Sequence, residues 1–381
     1  MIENDLQPQQ KAYVFGLDAI RFSCALMVAL FHFTWRVSNE AHIMPFGWVG
    51  VQVFFVISGV VIANSARAST PYRFARSRFL RLYPAAWIAA ILCFTILLIV
   101  PRSDYALLGI SVIPQLGALA RSLLLIGDYA IASSYWTLPI EIAFYSVVFM
   151  TLLSGKSHLR AITRILAGIS TVYIVALAYL LASNLSLGWL DLGYGTKNML
   201  LLRHGVFFSI GMYLWMVAYR QHLQPIDSIL LVLSLGAAGL EIACRSAQII
   251  NIYAASDKYN LGFAQVTWYA LVVFATLVVL VYLSLVNAER WTPSPTTSTC
   301  LRALGLLTYP FYLTHEIIGG AVLHYFGSNG FARPISLCLA IFGALSIAHL
   351  IAAYGERRLR DAIVQLARRL KNLVTARKMF E

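Results

Sequence analysis

Three ionisable residues stand inside the first apolar stretch of this chain: Asp18, Arg21 and His32. On a helix, the eleven residues from Arg21 to His32 make three turns, which puts both side chains on one face about 16 Å apart along the axis. Asp18, three residues before Arg21, can neutralise it. One helix then offers an ion pair at one end and an imidazole at the other. That arrangement suits a site that holds an anionic donor at one end while chemistry proceeds farther in. With an ordinary pKa of about 6.5, histidine suits proton transfer at neutral pH. A snorkelling arginine and a hydrogen-bonded core histidine are the plainer reading of the same residues.

A second group lies in the run Tyr72-Arg73-Phe74-Ala75-Arg76-Ser77-Arg78-Phe79-Leu80-Arg81-Leu82-Tyr83-Pro84. It reads as a loop in which Arg73, Arg76, Arg78 and Arg81 alternate with aromatics. The planar guanidinium fork binds two oxygens of a phosphate at once, and the pyrophosphate and ribose phosphate of a coenzyme A donor are fitting anions. Topology marking and contact with anionic lipid would need the same residues. Just before this run, Gly47, Gly50 and Gly59 allow close helix approach, and Gln52 and Ser58 can bond across helices.

The elements that must position these groups are membrane helices. The chain has 381 residues, 60% hydrophobic and 12% charged, against roughly 25% charged in soluble domains. Spans of roughly 20 mainly apolar residues fall at Gly16–Trp35, Trp48–Ala66, Tyr83–Val100, Tyr135–Leu153, Ile165–Leu181, Met199–Tyr219, Ser228–Cys244, Phe263–Leu285, Leu304–His324 and Pro334–Ala353. In lipid the backbone must satisfy its own hydrogen bonds, so these are helices. The fold class is therefore an all-α polytopic membrane bundle of about ten transmembrane helices.

The net charge of +13 comes from short basic runs between the spans, a topology signal and not that of a nucleic-acid binder. With ten spans and the N-terminus inside, one side receives Lys11, then Arg67 with the four arginines above, then Lys156, Arg160 and Arg164, then Arg220, then Arg290 and Arg302. It also receives the tail cations from Arg357 to Lys378. The other side holds Arg36, Arg102, Arg121, Lys197, Arg245, Lys258 and Arg333. This bias predicts cytoplasmic termini, with the first span retained as a signal anchor. Residues 105–126 are apolar but interrupted by Pro114 and Arg121, which favours a re-entrant or interfacial segment. Residues 1–355 form the transmembrane domain and 356–381 a basic amphipathic tail suited to anionic lipid. Cys24, Cys93, Cys244, Cys300 and Cys338 show neither metal spacing nor a disulfide framework and read as small buried hydrophobes.

Gly16-Leu17-Asp18-Ala19-Ile20-Arg21 followed by His32-Phe33 resembles the first-helix motif of the membrane acyltransferase-3 family. Phe54-Phe55-Val56-Ile57-Ser58-Gly59, the Arg76-to-Pro84 stretch, Ser134-Tyr135-Trp136-Thr137-Leu138-Pro139-Ile140-Glu141 and Tyr309, Tyr312, Leu313 and His315 resemble its later segments in the same order. The resemblance implies ten core helices with both ends inside. It also implies O-acylation, usually O-acetylation, of surface polysaccharides or other glycan-like acceptors in the bacterial cytoplasmic membrane, with acyl-CoA as donor and no tightly bound cofactor or metal. It makes Arg21 and His32 the critical pair. The chain departs from the pattern after His315, where Glu316 and Ile317 replace a residue followed by proline, and the role of His315 stays open. No SGNH-type domain follows the last span, so the chain either completes transfer itself or passes the acyl group to a partner protein.

On this reading Arg73, Arg76, Arg78 and Arg81 hold the phosphates of acyl-CoA, and His32 is a general base or a transient acyl carrier. Glu141 orients His32 or holds a sugar hydroxyl, unless it simply pairs with Arg21 or Arg203. Ser58 has no activating partner visible in the sequence. A transporter or flippase for an acyl or glycan carrier would use buried His, Arg and Glu equally well, and release of free CoA separates the two. Trp48, Trp136, Tyr194 and Trp268 are aromatics suited to a sugar, but the sequence does not say which of them gather.

Overall fold

The structure is a computed structural model and describes residues 13–34, 43–67, 69–100, 116–126, 131–155, 158–186, 196–254 and 262–377. The end of the first expected span at Trp35, the cations Lys11, Arg36, Arg102, Lys156, Lys258 and Lys378, and Tyr194 lie outside them. Among the described residues there is no strand. The helices are α1 (Phe15–Thr34), α2 (Gly50–Ala66), α3 (Pro71–Ile99), α4 (Leu116–Leu124), α5 (Thr137–Leu153), α6 (Leu159–Ala182), α7 (Gly205–Ala218), α8 (Pro225–Ala254), α9 (Phe263–Val286), α10 (Pro295–Thr314), α11 (Gly320–Ser328), α12 (Arg333–Leu350) and α13 (Arg357–Arg377). Nine helical segments among the described residues are long and apolar enough to cross a membrane. The remaining expected span, Leu304–His324, lies within α10 and α11, which run into one another through a π turn at His315–Gly319. A second π turn, Ile351–Glu356, joins α12 to α13 and contains the expected boundary between bundle and tail.

Two elements differ from expectation. The arginine-rich run is not a loop but the first three turns of α3. Thr70 caps that helix by accepting the Arg73 N–H at 3.3 Å, and Pro71 occupies its first turn, where a missing N–H costs nothing. An apolar window marks the lipid-buried length of a helix, and α3 continues beyond it. In the 105–126 segment, the part up to residue 115 lies outside the described residues. The rest is the nine-residue α4, tied to α3 by the Trp87 Nε1–H donating to the Leu123 carbonyl at 2.7 Å. Nine residues are fewer than half of a span. Of the cysteines, Cys24, Cys93 and Cys244 are buried, but Cys300 and Cys338 are exposed on the outside of the bundle.

Small residues set the closest helix contact. A Cβ on Gly59 of α2 would strike the Phe208 carbonyl of α7, and one on Gly211 of α7 would strike the Val56 carbonyl of α2. Neither backbone oxygen can swing away. Gly211→Ala should therefore force α2 and α7 apart, and overpacking of this kind destabilises by about 1–3 kcal/mol. The expected result is a lowered thermal midpoint in detergent, beside an unchanged midpoint for Gly236→Ala, where an added Cβ meets nothing within 4 Å.

Ion pairs, one of them buried on both sides, brace α6, α7 and α8. Arg164 binds Asp227 at 2.7 Å. Arg203, two residues after Leu201 turns the chain at a φ of 60°, binds Glu241 at 2.8 Å.

Candidate active site

A cleft opens among α1, α2, α3, α5 and α10. Arg21, Arg78 and Arg81 line it, with Glu141, Tyr145, Ser58, Phe54, Thr137 and Tyr312. Helical phase explains which arginines take part. Arg78, half-buried, and Arg81, exposed, are three residues apart on α3 and line the cleft, whereas the exposed Arg73 and Arg76 are not in its lining. Two of the four arginines expected to bind the donor therefore reach the cleft and two do not.

Arg21 is held as its spacing predicts, with its guanidinium 3.7 Å from the Asp18 carboxylate. Asp18 also accepts the Tyr13 hydroxyl at 2.5 Å. Gly305 of α10 makes room for that carboxylate, since a Cβ there would strike it. Arg302 covers the Tyr13 ring at 4.9 Å. Burial, then the bond to Asp18, pushes the Tyr13 phenol up to about 12, so it remains a donor to Asp18 throughout the physiological range.

Glu141 neither orients His32 nor pairs with Arg203, whose carboxylate partner is Glu241. It accepts the Ser58 hydroxyl at 3.0 Å, and Tyr145, one turn on, stands beside it in the cleft wall. Ser58 thus has a carboxylate partner that is invisible in sequence. The charge balance is three guanidiniums against the single carboxylate of Glu141, with Asp18 offsetting one of them, and such an excess favours an anion.

His32 hydrogen-bonds His315, 283 residues away in sequence, with His32 Nδ1 2.9 Å from His315 Nε2. The ring centroids lie 5.1 Å apart and the planes are within 14° of parallel, as an edge-to-edge N–H···N bond requires. His315 Nδ1 lies 2.8 Å from the Tyr312 carbonyl and 3.3 Å from that of Phe311. A carbonyl only accepts, so His315 Nδ1 carries the hydrogen and its Nε2 the lone pair. His32 Nδ1–H must then donate to that lone pair, which leaves Nε2 of His32 as the basic nitrogen. The pair repeats the logic of an oriented catalytic base, with one histidine holding the other in a single tautomer.

The π turn delivers this geometry. Its wider winding sets His315 against α1, and Gly319 in the same turn lets Phe33 approach where a Cβ would strike the ring. π turns inside α-helices occur often at functional sites. Glu316, between His315 and the Ile317 that stands where the pattern has proline, has its own partners. Its carboxylate accepts the Ser133 hydroxyl at 2.8 Å and the Ser134 N–H at 3.1 Å, so it clamps the turn leading into α5 beside the histidines. Tyr312 links the two parts of the site. It lines the cleft, its ring lies 5.9 Å from that of His315, and its hydroxyl is 3.3 Å from Thr137 Oγ1.

An ion-paired arginine cleft and a tautomer-locked histidine pair on one bundle are the parts an acyl-transfer site needs. A family model described as an acyltransferase domain matches residues 14–353. The chain belongs to the acyltransferase-3 family. A Komagataeibacter xylinus protein, BcsY, whose name assigns it as a membrane-bound transacylase, is 26% identical over 330 residues, covering 83% of this chain and 75% of that protein. No solved structure matches the chain at a significant level. This member of the acyltransferase-3 family is a multi-pass membrane acyltransferase of the non-aminoacyl kind, and its Arg21 and His32 occupy the two parts of the site described above.

Proposed function

We propose that the chain is an O-acyltransferase that carries an acyl group, acetyl in the simplest case, from cytoplasmic acyl-CoA to a hydroxyl of a cell-surface polysaccharide or similar glycan. The observation that carries this reading is the His32–His315 pair, with its basic nitrogen on His32. Arg78, Arg81 and Arg21 receive the donor's phosphates, and the pantetheine arm passes Ser58, Glu141 and Tyr145 toward Tyr312. His32 Nε2 removes the proton of the acceptor hydroxyl as its oxygen attacks the thioester carbonyl. The carbon–sulfur bond breaks, and the imidazolium returns the proton to the CoA thiolate. His315 stabilises that imidazolium through the Nδ1–H bond. General-base help of this kind contributes about 10²–10⁴-fold, and fixing both reactants removes roughly 7–11 kcal/mol of barrier.

On this reading acyl-CoA is a substrate, no cofactor is tightly bound, and the bacterial inner membrane separates donor from acceptor. A partner protein outside would receive the acyl group only where the chain does not complete transfer. The test is label transfer from radiolabelled acetyl-CoA in membranes carrying wild-type or His32→Ala protein at matched levels. Label on a glycan or lipid-linked acceptor with the wild type alone is the expected result. Movement of substrate without release of CoA would favour a transporter instead.

A further inference from the structure

The reaction above leaves unused a second cluster, on the far side of Phe55 from the cleft. Phe55 of α2, Trp136 at the start of α5 and His204 just ahead of α7 are in mutual ring contact. Centroids lie 5.2 Å apart for Phe55–His204, 5.4 Å for Trp136–His204 and 6.3 Å for Phe55–Trp136. His204 is 3% exposed, yet its Nδ1 has no hydrogen-bond partner. Gln52, one turn farther out on the same stripe of α2 as Phe55, is 3% exposed with an unpartnered Oε1. Trp48, one turn beyond that, is 5% exposed with an unpartnered Nε1–H. The spacing 48, 52, 55 keeps all three on one helix face. It is the face that meets α7, because Gly59, one heptad from Gln52, rests on Phe208.

Buried polar atoms without partners are rare, and each calls for an explanation. Here an acceptor (Gln52) and a donor (Trp48) lie buried on the stripe that carries Phe55, and an imidazole nitrogen of either sense lies against the Phe55 and Trp136 rings. A pyranose ring has the matching surface: hydroxyls around its edge and an apolar C–H face that stacks on indole. The cluster also has the right address. Phe55 and Thr137 line the cleft, and the Glu316 clamp on Ser133 and Ser134 fixes Trp136 in the turn beside His315. Trp268, also a candidate from sequence, is 64% exposed on the outside of the bundle and takes no part.

We infer that Trp136, Phe55, His204, Gln52 and Trp48 form the acceptor subsite and take a pyranose sugar, an inference that rests on the acyl-to-hydroxyl reading above. The test uses the full chain in nanodiscs with glucose and N-acetylglucosamine oligosaccharides as probes. His204→Phe keeps the ring contacts and deletes the polar nitrogen, and Gln52→Leu removes the amide. Either change should raise the KM for the oligosaccharide acceptor about tenfold, the usual order for one lost hydrogen bond to a buried group, with the KM for acetyl-CoA unchanged. His204→Asn, which restores a polar atom near the Nδ1 position, should recover part of the loss. In a donor-free titration the oligosaccharide should change tryptophan fluorescence in the wild type, and by less in Trp136→Phe. Oligosaccharide that leaves the fluorescence unmoved, or variants that alter only kcat or the KM for acetyl-CoA, would overturn the subsite. A fluorescence response that depends on Trp136, in a protein that releases no CoA from acetyl-CoA, would keep the subsite and sink the acyltransferase mechanism instead.

Discussion

His315→Ala should lower acyl transfer as far as His32→Ala does, by about 10²–10⁴-fold in kcat, and the double variant should lose no more than the worse single one. In the proposed mechanism His315, hydrogen-bonded to His32 at 2.9 Å, fixes His32 as Nδ1–H donor and Nε2 base. Without it His32 samples both tautomers and loses the acceptor that stabilises its protonated form. Residues that act as one unit are grossly non-additive in kinetics, so the double-mutant cycle separates a working pair from two independent contributors. Steady-state rates with acetyl-CoA at matched protein levels supply the measurement. Transfer in His315→Ala at the wild-type rate would mean that the pair has no catalytic part.

Arg78→Gln and Arg81→Gln should each raise the KM for acetyl-CoA by roughly 10–100-fold, while Arg73→Gln and Arg76→Gln stay within about twofold. A charge-assisted hydrogen bond contributes about 1.5–3 kcal/mol, and each 1.4 kcal/mol is about tenfold. Arg73 and Arg76 lie outside the cleft lining and have no such bond to lose. Acetyl-pantetheine, which lacks the nucleotide phosphates, supplies the control. With it, wild type and the Arg78 and Arg81 variants should converge. A uniform loss across all four arginines would assign the stretch to topology or lipid contact instead.

Much of this site is written in local pattern. The three-residue spacing of Asp18 and Arg21 is enough to predict their ion pair, and it forms. Apolar windows locate the spans, because backbone in lipid has only helical ways to satisfy itself. The same windows miss the first turns of α3, whose arginines belong to a helix that has left the hydrocarbon. Once that helix is known, its phase separates Arg78 and Arg81 from Arg73 and Arg76, a division that a loop would not impose.

Contacts between distant segments follow a different rule. Ser58 and Glu141 lie 83 residues apart and His32 and His315 lie 283 apart, yet both pairs are in hydrogen-bond contact. Periodicity describes which face of a helix is apolar, not which helix it meets or at what height. In this bundle those choices depend on Gly59 against Phe208, on Gly305 yielding to Asp18, and on the extra residue of one π turn. The sequence by itself therefore determined the helices, their membrane character and the chemical kinds of residue available. Only the tertiary structure decided that His315 is the partner of His32, that Glu141 serves Ser58, and that Trp136 and His204 meet, because close packing between helices is a property of their joint surfaces and not of any one of them.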